Sequence, residues 1–405
     1  MRAYELSADG IMDLGNQYRL LLRSEKAERQ RVITNVDGIY LWEHNGTRFT
    51  DLCSQKFNLT MGYSDTEIAQ AIEKQIGINP YIGENNLVDI EAEYMRCILK
   101  YVPSNLKRVH FSDSYILAVY QLIKAVRKYT GRNKIIRISS LMYDMTKDLS
   151  EKDIVCIKNP EGYMTKADFT DMVIGEIIAA QPDAVAAVIV ETLPYLHNAM
   201  IDTAFVEHLD MFCKNNGIML VLDEAISGGG RLGDFFISKS LNCKPDAILF
   251  SDTLTGGYVP FGGFFAGDTL ADFIREAYCR GEYNRNSFSI AFAAGIAMLN
   301  EQEKMKISDH VNMVGCTLEE LLCIIKDKYP FVSYITGKGL FYCIHFDAKF
   351  FGENAEQIKK SIHNKRMFVK FSDNTLIIAP PLITKQEILD AFVNAIDAVL
   401  HGLTE

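Results

Sequence analysis

Between Gly217 and Gly263 the chain carries two apolar runs, each ending in polar residues and a glycine turn. The first, IMLVL at 218–222, ends in the carboxylates Asp223 and Glu224 and continues into Gly228-Gly229-Gly230-Arg231-Leu232-Gly233. The second, AILF at 247–250, delivers Ser251, Asp252 and Thr253 onto a Gly256-Gly257 turn. Short, continuous apolar runs bounded by glycine read as fully buried strands. Such strands belong to parallel sheets covered by helices on both faces. Polar residues at the strand ends of an open α/β sheet are where ligands bind. An α/β protein with a ligand site around 223–224 and 251–253 is therefore expected.

With 405 residues the chain exceeds the usual size of a single core, so two domains are expected. A net charge of -10 argues against nucleic acid or an anionic membrane as partner. No apolar run is long enough to span a bilayer, and the polar start MRAYELSADG is unlike a signal peptide. The nine cysteines show neither C-x-x-C nor metal-ligand spacing, which fits reduced thiols in the cytoplasm and no metal site.

In chain order, Asn35 to Phe57 alternates apolar and polar residues around an Asn45-Gly46 hairpin turn. YSDTEIAQAIEKQI then opens a helix capped by Ser64 or Asp65. Val109 to Arg132 reads as strand, short turn and amphipathic helix, and AAVIVE as a buried strand ending at Glu191. The C-terminal part reads as strands followed by a closing amphipathic helix.

The wording and order of these pieces resemble the class III (ω-amino acid, acetylornithine-type) aminotransferases, pyridoxal-phosphate (PLP) enzymes of fold type I. Asp223-Glu224, the loop 228–233 and Gly256-Gly257-Tyr258-Val259-Pro260-Phe261-Gly262 match that family's Asp-Glu pair, GFGRxG loop and Gly-Gly-Gly-x-Pro-x-Gly turn. Asp51, KAVRKYTGR at 124–132, Gly337, Gly339 and Ala379-Pro380-Pro381-Leu382 also match, so the resemblance covers nearly the whole chain. It implies a PLP-dependent transferase fold: a large domain with a mainly parallel mixed sheet, and a small α/β domain from both chain ends. The implied boundaries are 1–50 for the N-terminal part of the small domain, 51–299 for the large domain and 300–405 for the C-terminal small domain. A homodimer is implied as well.

Several family positions depart from the pattern. Asp252 stands where the family has its Schiff-base lysine, and Tyr115-Ile116 where it has the Gly-Ser of the phosphate cup. Tyrosine cannot copy a glycine's close backbone approach. Asn284 replaces a threonine that reaches the neighbouring subunit's phosphate, and Asp144 the histidine beside the ring-stacking aromatic, Tyr143. Ile377 replaces an arginine that commonly holds a substrate carboxylate. No cofactor is accordingly expected, with Ser114, Tyr115, Tyr143, Asp223 and Asn284 as relict cofactor positions.

Asp113, Asp144, Glu191, Asp223, Glu224 and Asp252 all map to or near the old cavity, so an acidic pocket is expected. The reading that follows is a repurposed, PLP-independent enzyme acting on a small amine-bearing or cationic substrate. Asp252 and Asp223 would form its catalytic carboxylate pair, since like charges in one pocket push their pKa values apart. Tyr143, Glu191 and Asp144 would contact the substrate, and Arg231 would be structural, paired with a nearby carboxylate. Two alternatives stay open: a non-catalytic partner or scaffold, and a lysine-less enzyme that holds PLP or pyridoxamine phosphate (PMP) non-covalently.

Overall fold

The structure is a computed structural model; it describes residues 31–83, 86–138, 153–157, 166–193, 203–277 and 288–403, with a few residues between 7 and 13. An N-terminal sheet begins with β1 (Ile33–Asp37), β2 (Tyr40–Glu43) and β3 (Arg48–Asp51), the last two joined by the Asn45-Gly46 turn. Helix α1 (Thr66–Ile78) follows, and its cap is Asp65, whose side chain accepts the Ile68 N–H. Helix α2 (Asp89–Ile98) comes next.

The central sheet has seven strands in the order β4-β10-β9-β8-β7-β5-β6. These are β4 (Arg108–Ser112), β5 (Lys134–Ile138), β6 (Ile154–Ile157), β7 (Val185–Glu191), β8 (Met219–Asp223), β9 (Ala247–Ser251) and β10 (Gly262–Ala266). The five strands from β9 to β6 are parallel, and β10 runs antiparallel to both β9 and β4. Parallel neighbours require crossover connections. Helices α3 (Tyr115–Thr130), α4 (Lys166–Ala179) and α5 (Thr203–Asn215) lie in the β4–β5, β6–β7 and β7–β8 connections.

Helix α3 shows how the sequence builds these layers. Ser114 caps it by accepting the Leu117 N–H, and Gly131 ends it in the left-handed conformation (φ 69°). Val119, Leu122, Ile123 and Val126 repeat at helical spacing and bury against Ile135, Ala187, Val221 and Leu249 of the sheet. Truncating Leu122 to alanine in such a layer costs about 2–5 kcal/mol. The helix starts where β10 comes closest: a Cβ on Gly262 would sit 2.4 Å from the Tyr115 nitrogen, so only glycine fits there.

Helix α6 (Asp268–Ala277) lies beyond β10, and α7 (Ser289–Met305) and α8 (Ile307–Lys328) lead to the C-terminal part. There β11 (Val332–Lys338), β12 (Phe341–Phe346), β14 (Lys370–Ser372) and β15 (Thr375–Ile378) form an antiparallel sheet, order β11-β12-β15-β14. Helices α9 (Ala348–Asn364) and α10 (Gln386–His401) accompany it; Leu322, Ile344, Leu376, Leu389 and Phe392 are buried in one cluster. The short strand β13 (Met367–Phe368) pairs in parallel with β3, which ties the two ends of the chain together. Among the described residues no helix is long and apolar enough to cross a membrane.

Candidate active site

The carboxyl ends of β7, β8 and β9 define the site. Strand register sets Glu191 opposite Asp223, and Asp223 opposite Leu249, two residues before Ser251. The chain then turns through a single 3₁₀ segment, Asp252–Thr255, stopped by Gly256 in the left-handed region (φ 67°). Beside these ends lies a cavity of about 210 Å³, lined among others by Lys56, Asn58, Ser114, Tyr115, Glu191 and Asp252. No side chain of the described residues fills it.

Asp252 faces it. Asn58 Nδ2 donates to its Oδ1 at 2.6 Å. Burial raises the Asp252 carboxyl above the ordinary carboxylate range, opposed by a bond from Ser251 and by the charge of Lys56. Glu191 lines the same wall.

Asp223, 3% exposed, does not line the cavity. Its carboxylate is enclosed by the Tyr115 hydroxyl, by Arg137 Nη2 at 3.4 Å and by the Ala225 N–H at 3.2 Å. Arg137 Nη2 also donates to the Tyr115 oxygen at 3.1 Å, so the three side chains form one buried network. Burial raises the Asp223 carboxyl, and Arg137 and Tyr115 pull it back down. The Tyr115 hydroxyl is held well above its ordinary range, by burial first and then by Asp223. The expected pairing of Asp223 with Asp252 is thus not what the fold assembles: each carboxylate has its own neutral or cationic partner.

Nor do the other acids converge. Glu224, 0% exposed, turns away and accepts the N–H groups of Ile237 (2.7 Å) and Ser238 (2.9 Å). Burial pushes its carboxyl up to about 7. Asp113 is exposed and outside the cavity lining. Tyr143, Asp144 and Asn284 lie outside the described residues. Of the five described acids expected in one pocket, Glu191 and Asp252 line it.

Arg231 is structural, but its partners are not carboxylates. Fully buried, it donates to the carbonyls of Leu340, Pro380 and Phe57 and to Ser54 Oγ, at 2.8–3.2 Å. Burial pulls its guanidinium down to about 10. These bonds fasten the turn that follows β3. In that turn Ser54, Gln55 and Phe57 all have positive φ (46°, 61° and 71°), a costly conformation for non-glycine residues. Asp51 holds it from the other side, accepting the Cys53 and Gln55 N–H groups and the Tyr63 hydroxyl.

Three site residues, Arg137, Lys56 and Asn58, are not among those the sequence points to. Arg137 interrupts the apolar strand KIIRI, and a charge in a buried strand requires a partner; that was a usable signal. Lys56 and Asn58 gave none, because nothing in SQKFN tells which way their side chains point.

A seven-stranded, mostly parallel sheet with antiparallel β10 and a cavity at the strand ends defines a PLP-dependent transferase fold. The chain belongs to the class III aminotransferases: that family's model, "Aminotransferase class-III", matches residues 23–400. It is similar to the acetylornithine aminotransferase of Haemophilus ducreyi, 23% identical over 98% of this chain and 100% of that one. It is also similar to the adenosylmethionine-8-amino-7-oxononanoate aminotransferase of Staphylococcus aureus, 22% identical over 93% of each. Its fold matches the taurine:2-oxoglutarate aminotransferase of Bifidobacterium kashiwanohense, solved with PLP and glutamate. That match has a TM-score of 0.89 and 22% identity, over 99% of both chains.

These comparisons correct the expectation that no cofactor is involved. The chain sits inside a family of aminotransferases, and a protein of the same fold is solved with PLP. The altered residues at 115, 116 and 252 all line the cavity.

Proposed function

We propose that this protein is a class III aminotransferase homologue that uses PLP, or its amine form PMP, held without a covalent bond at position 252. The observation that carries this reading is the open cavity at the ends of β7 and β9, with Asp252 in its wall and the start of α3 in its lining. A non-catalytic scaffold has no need to keep such a space clear of side chains.

The residues present fit the group in kind. Ser114, Tyr115 and Ile116, at the start of α3, line the cavity, and the backbone N–H groups of that first turn would hold a phosphate, as helix N-termini do. Asp223 does not line the cavity, so it would govern the protonation of a ring nitrogen only where the Tyr115 hydroxyl yields its place. The polar network is incompletely satisfied as it stands: Arg137 Nε and Nη1 are buried without partners among the described residues. Buried polar atoms of that sort mark places where a further polar group belongs.

When bound, PLP supplies the electron sink for chemistry at an amine-bearing carbon. The chain's own part is proton handling and positioning. Asp252 is a carboxyl of raised pKa and can take and return a proton. It cannot make the covalent bond to a carbonyl that an amine makes. Asn58 fixes its orientation through Oδ1. Glu191, on the same wall, would meet the amino group of a small substrate.

The test is a titration of the purified protein with PLP and with PMP, followed by visible absorbance. Saturable binding that dialysis reverses, and that borohydride does not fix to the chain, is the expected result. No binding of either form, or a borohydride-stable adduct, would overturn the reading.

Assembly as a homodimer belongs to the same proposal. Leu87 is 92% exposed, and Ile116, Leu117 and Tyr120 expose apolar surface at the start of α3. Surface of that kind suits contact with a second copy. The eight free cysteines among the described residues suit a reducing compartment, the cytoplasm.

A further inference from the structure

We propose that Lys56 is the carboxylate-binding residue of this site, presented to the cavity by a turn whose strained backbone serves that purpose. The inference deepens the function proposed above only in taking the cavity as the substrate site.

Among the described residues Lys56 is the one cation in the cavity lining. It sits in the turn after β3, between Gln55 and Phe57, both in the left-handed region that non-glycine residues avoid. Such a conformation persists only where the surroundings over-determine it, and it clusters at ligand sites. Here the surroundings are named: buried Arg231 bonds Ser54 and Phe57 on one side. Buried Asp51 takes the Cys53 and Gln55 N–H groups on the other. Ser54 Oγ donates to the Ala379 carbonyl from within the turn. Between these anchors the exposed side chain of Lys56 and, two residues on, Asn58 both reach the cavity, where Asn58 bonds Asp252.

The opposite candidate is closed off. Ile377, in β15, is fully buried in an apolar cluster with Phe57, Phe341, Cys343 and Ala379. No acid group can be held there. A substrate carrying both an amine and a carboxylate would find its two charges matched: Glu191 and Asp252 for the amine, Lys56 for the acid. The acid group of such a substrate lies at the Lys56 end. An ammonium group placed as a point charge suits a single carboxylate.

The experiment is calorimetric titration of the purified protein with succinate and with its neutral diamide, each with and without added PLP. Wild type is expected to prefer the dicarboxylate. Lys56→Met should weaken succinate binding by about tenfold to a hundredfold, the loss of one charge-assisted contact, and leave the diamide unchanged. Lys56→Arg should restore most of the affinity. The exposed position makes a folding defect avoidable, and a thermal melt of each variant checks it; Lys56→Gln replaces any variant that fails to fold. Equal succinate affinity in wild type and Lys56→Met overturns the proposal, as does a wild type with no preference for succinate over the diamide. A cofactor titration that fails leaves the succinate result standing, so the two readings fall separately.

Discussion

The Tyr115 hydroxyl, at the first residue of α3, donates to the carboxylate of Asp223, the last residue of β8. Arg137 binds both from two strands away. A carboxylate at this strand end thus has its proton donor built into the chain. Any ring nitrogen that reaches Asp223 takes over a place Tyr115 now holds.

Tyr115→Phe follows directly. Removing the hydroxyl leaves a buried carboxylate short of one donor, which costs about 1–3 kcal/mol. Urea denaturation should show that loss. The same variant is expected to bind PLP more tightly than wild type, because Asp223 is released. Unchanged or weaker PLP binding in the absorbance titration would mean that Tyr115 does not compete for Asp223.

Asp252→Asn concerns pH. Burial raises the folded-state pKa of Asp252 above its unfolded value. Its contribution to stability is therefore complete below the unfolded pKa, about 3.9, and is lost as pH rises through the folded value. An asparagine carries no such penalty and can still accept from Asn58. The variant should melt higher than wild type at pH 7, with the gain vanishing toward pH 4. Melting curves across that range decide it; an equal gain at both ends would show that titration is not the cause. Under the proposed function, turnover should fall about 10²–10⁴-fold, as for a lost general acid or base.

Arg231→Met tests the frame of the Lys56 turn. Three carbonyls and a serine hydroxyl would lose their donor in a buried place. Losing such a network is expected to cost about 3–5 kcal/mol. Chemical denaturation reads the loss, and succinate affinity should fall along with it. A variant with wild-type stability would show that the turn holds its shape without Arg231.

Assembly is checked by light scattering at micromolar concentration, where a dimer mass is expected. Replacing Leu117 by aspartate, a charge on the apolar start of α3, should shift the equilibrium toward monomer. A monomeric wild type would remove the homodimer from the proposal.

Much of the fold was legible in residue order. The apolar runs 218–222 and 247–250 read as buried strands, and both are, with Asp223 ending the first and Asp252 following the second. The helix from Tyr115 to Thr130 was marked by its apolar spacing, its Ser114 cap and its terminal Gly131. The site itself was read less well. Family positions map six acids to one pocket; among the described ones Glu191 and Asp252 line it, while Asp223 and Glu224 bond elsewhere.

The sequence by itself determined which strands are buried, where they end and which residues stand at those ends, since these follow from local periodicity and turn chemistry. The tertiary structure alone decided what the side chains there meet. Arg137 reaches Asp223 only because β5 lies two strands from β8, an order set by long-range pairing. Lys56 faces the cavity only because Arg231, some 170 residues further along the chain, holds a left-handed turn that local preference would not choose. Local preference acts within a few residues, whereas a buried charge finds its partners wherever packing brings them.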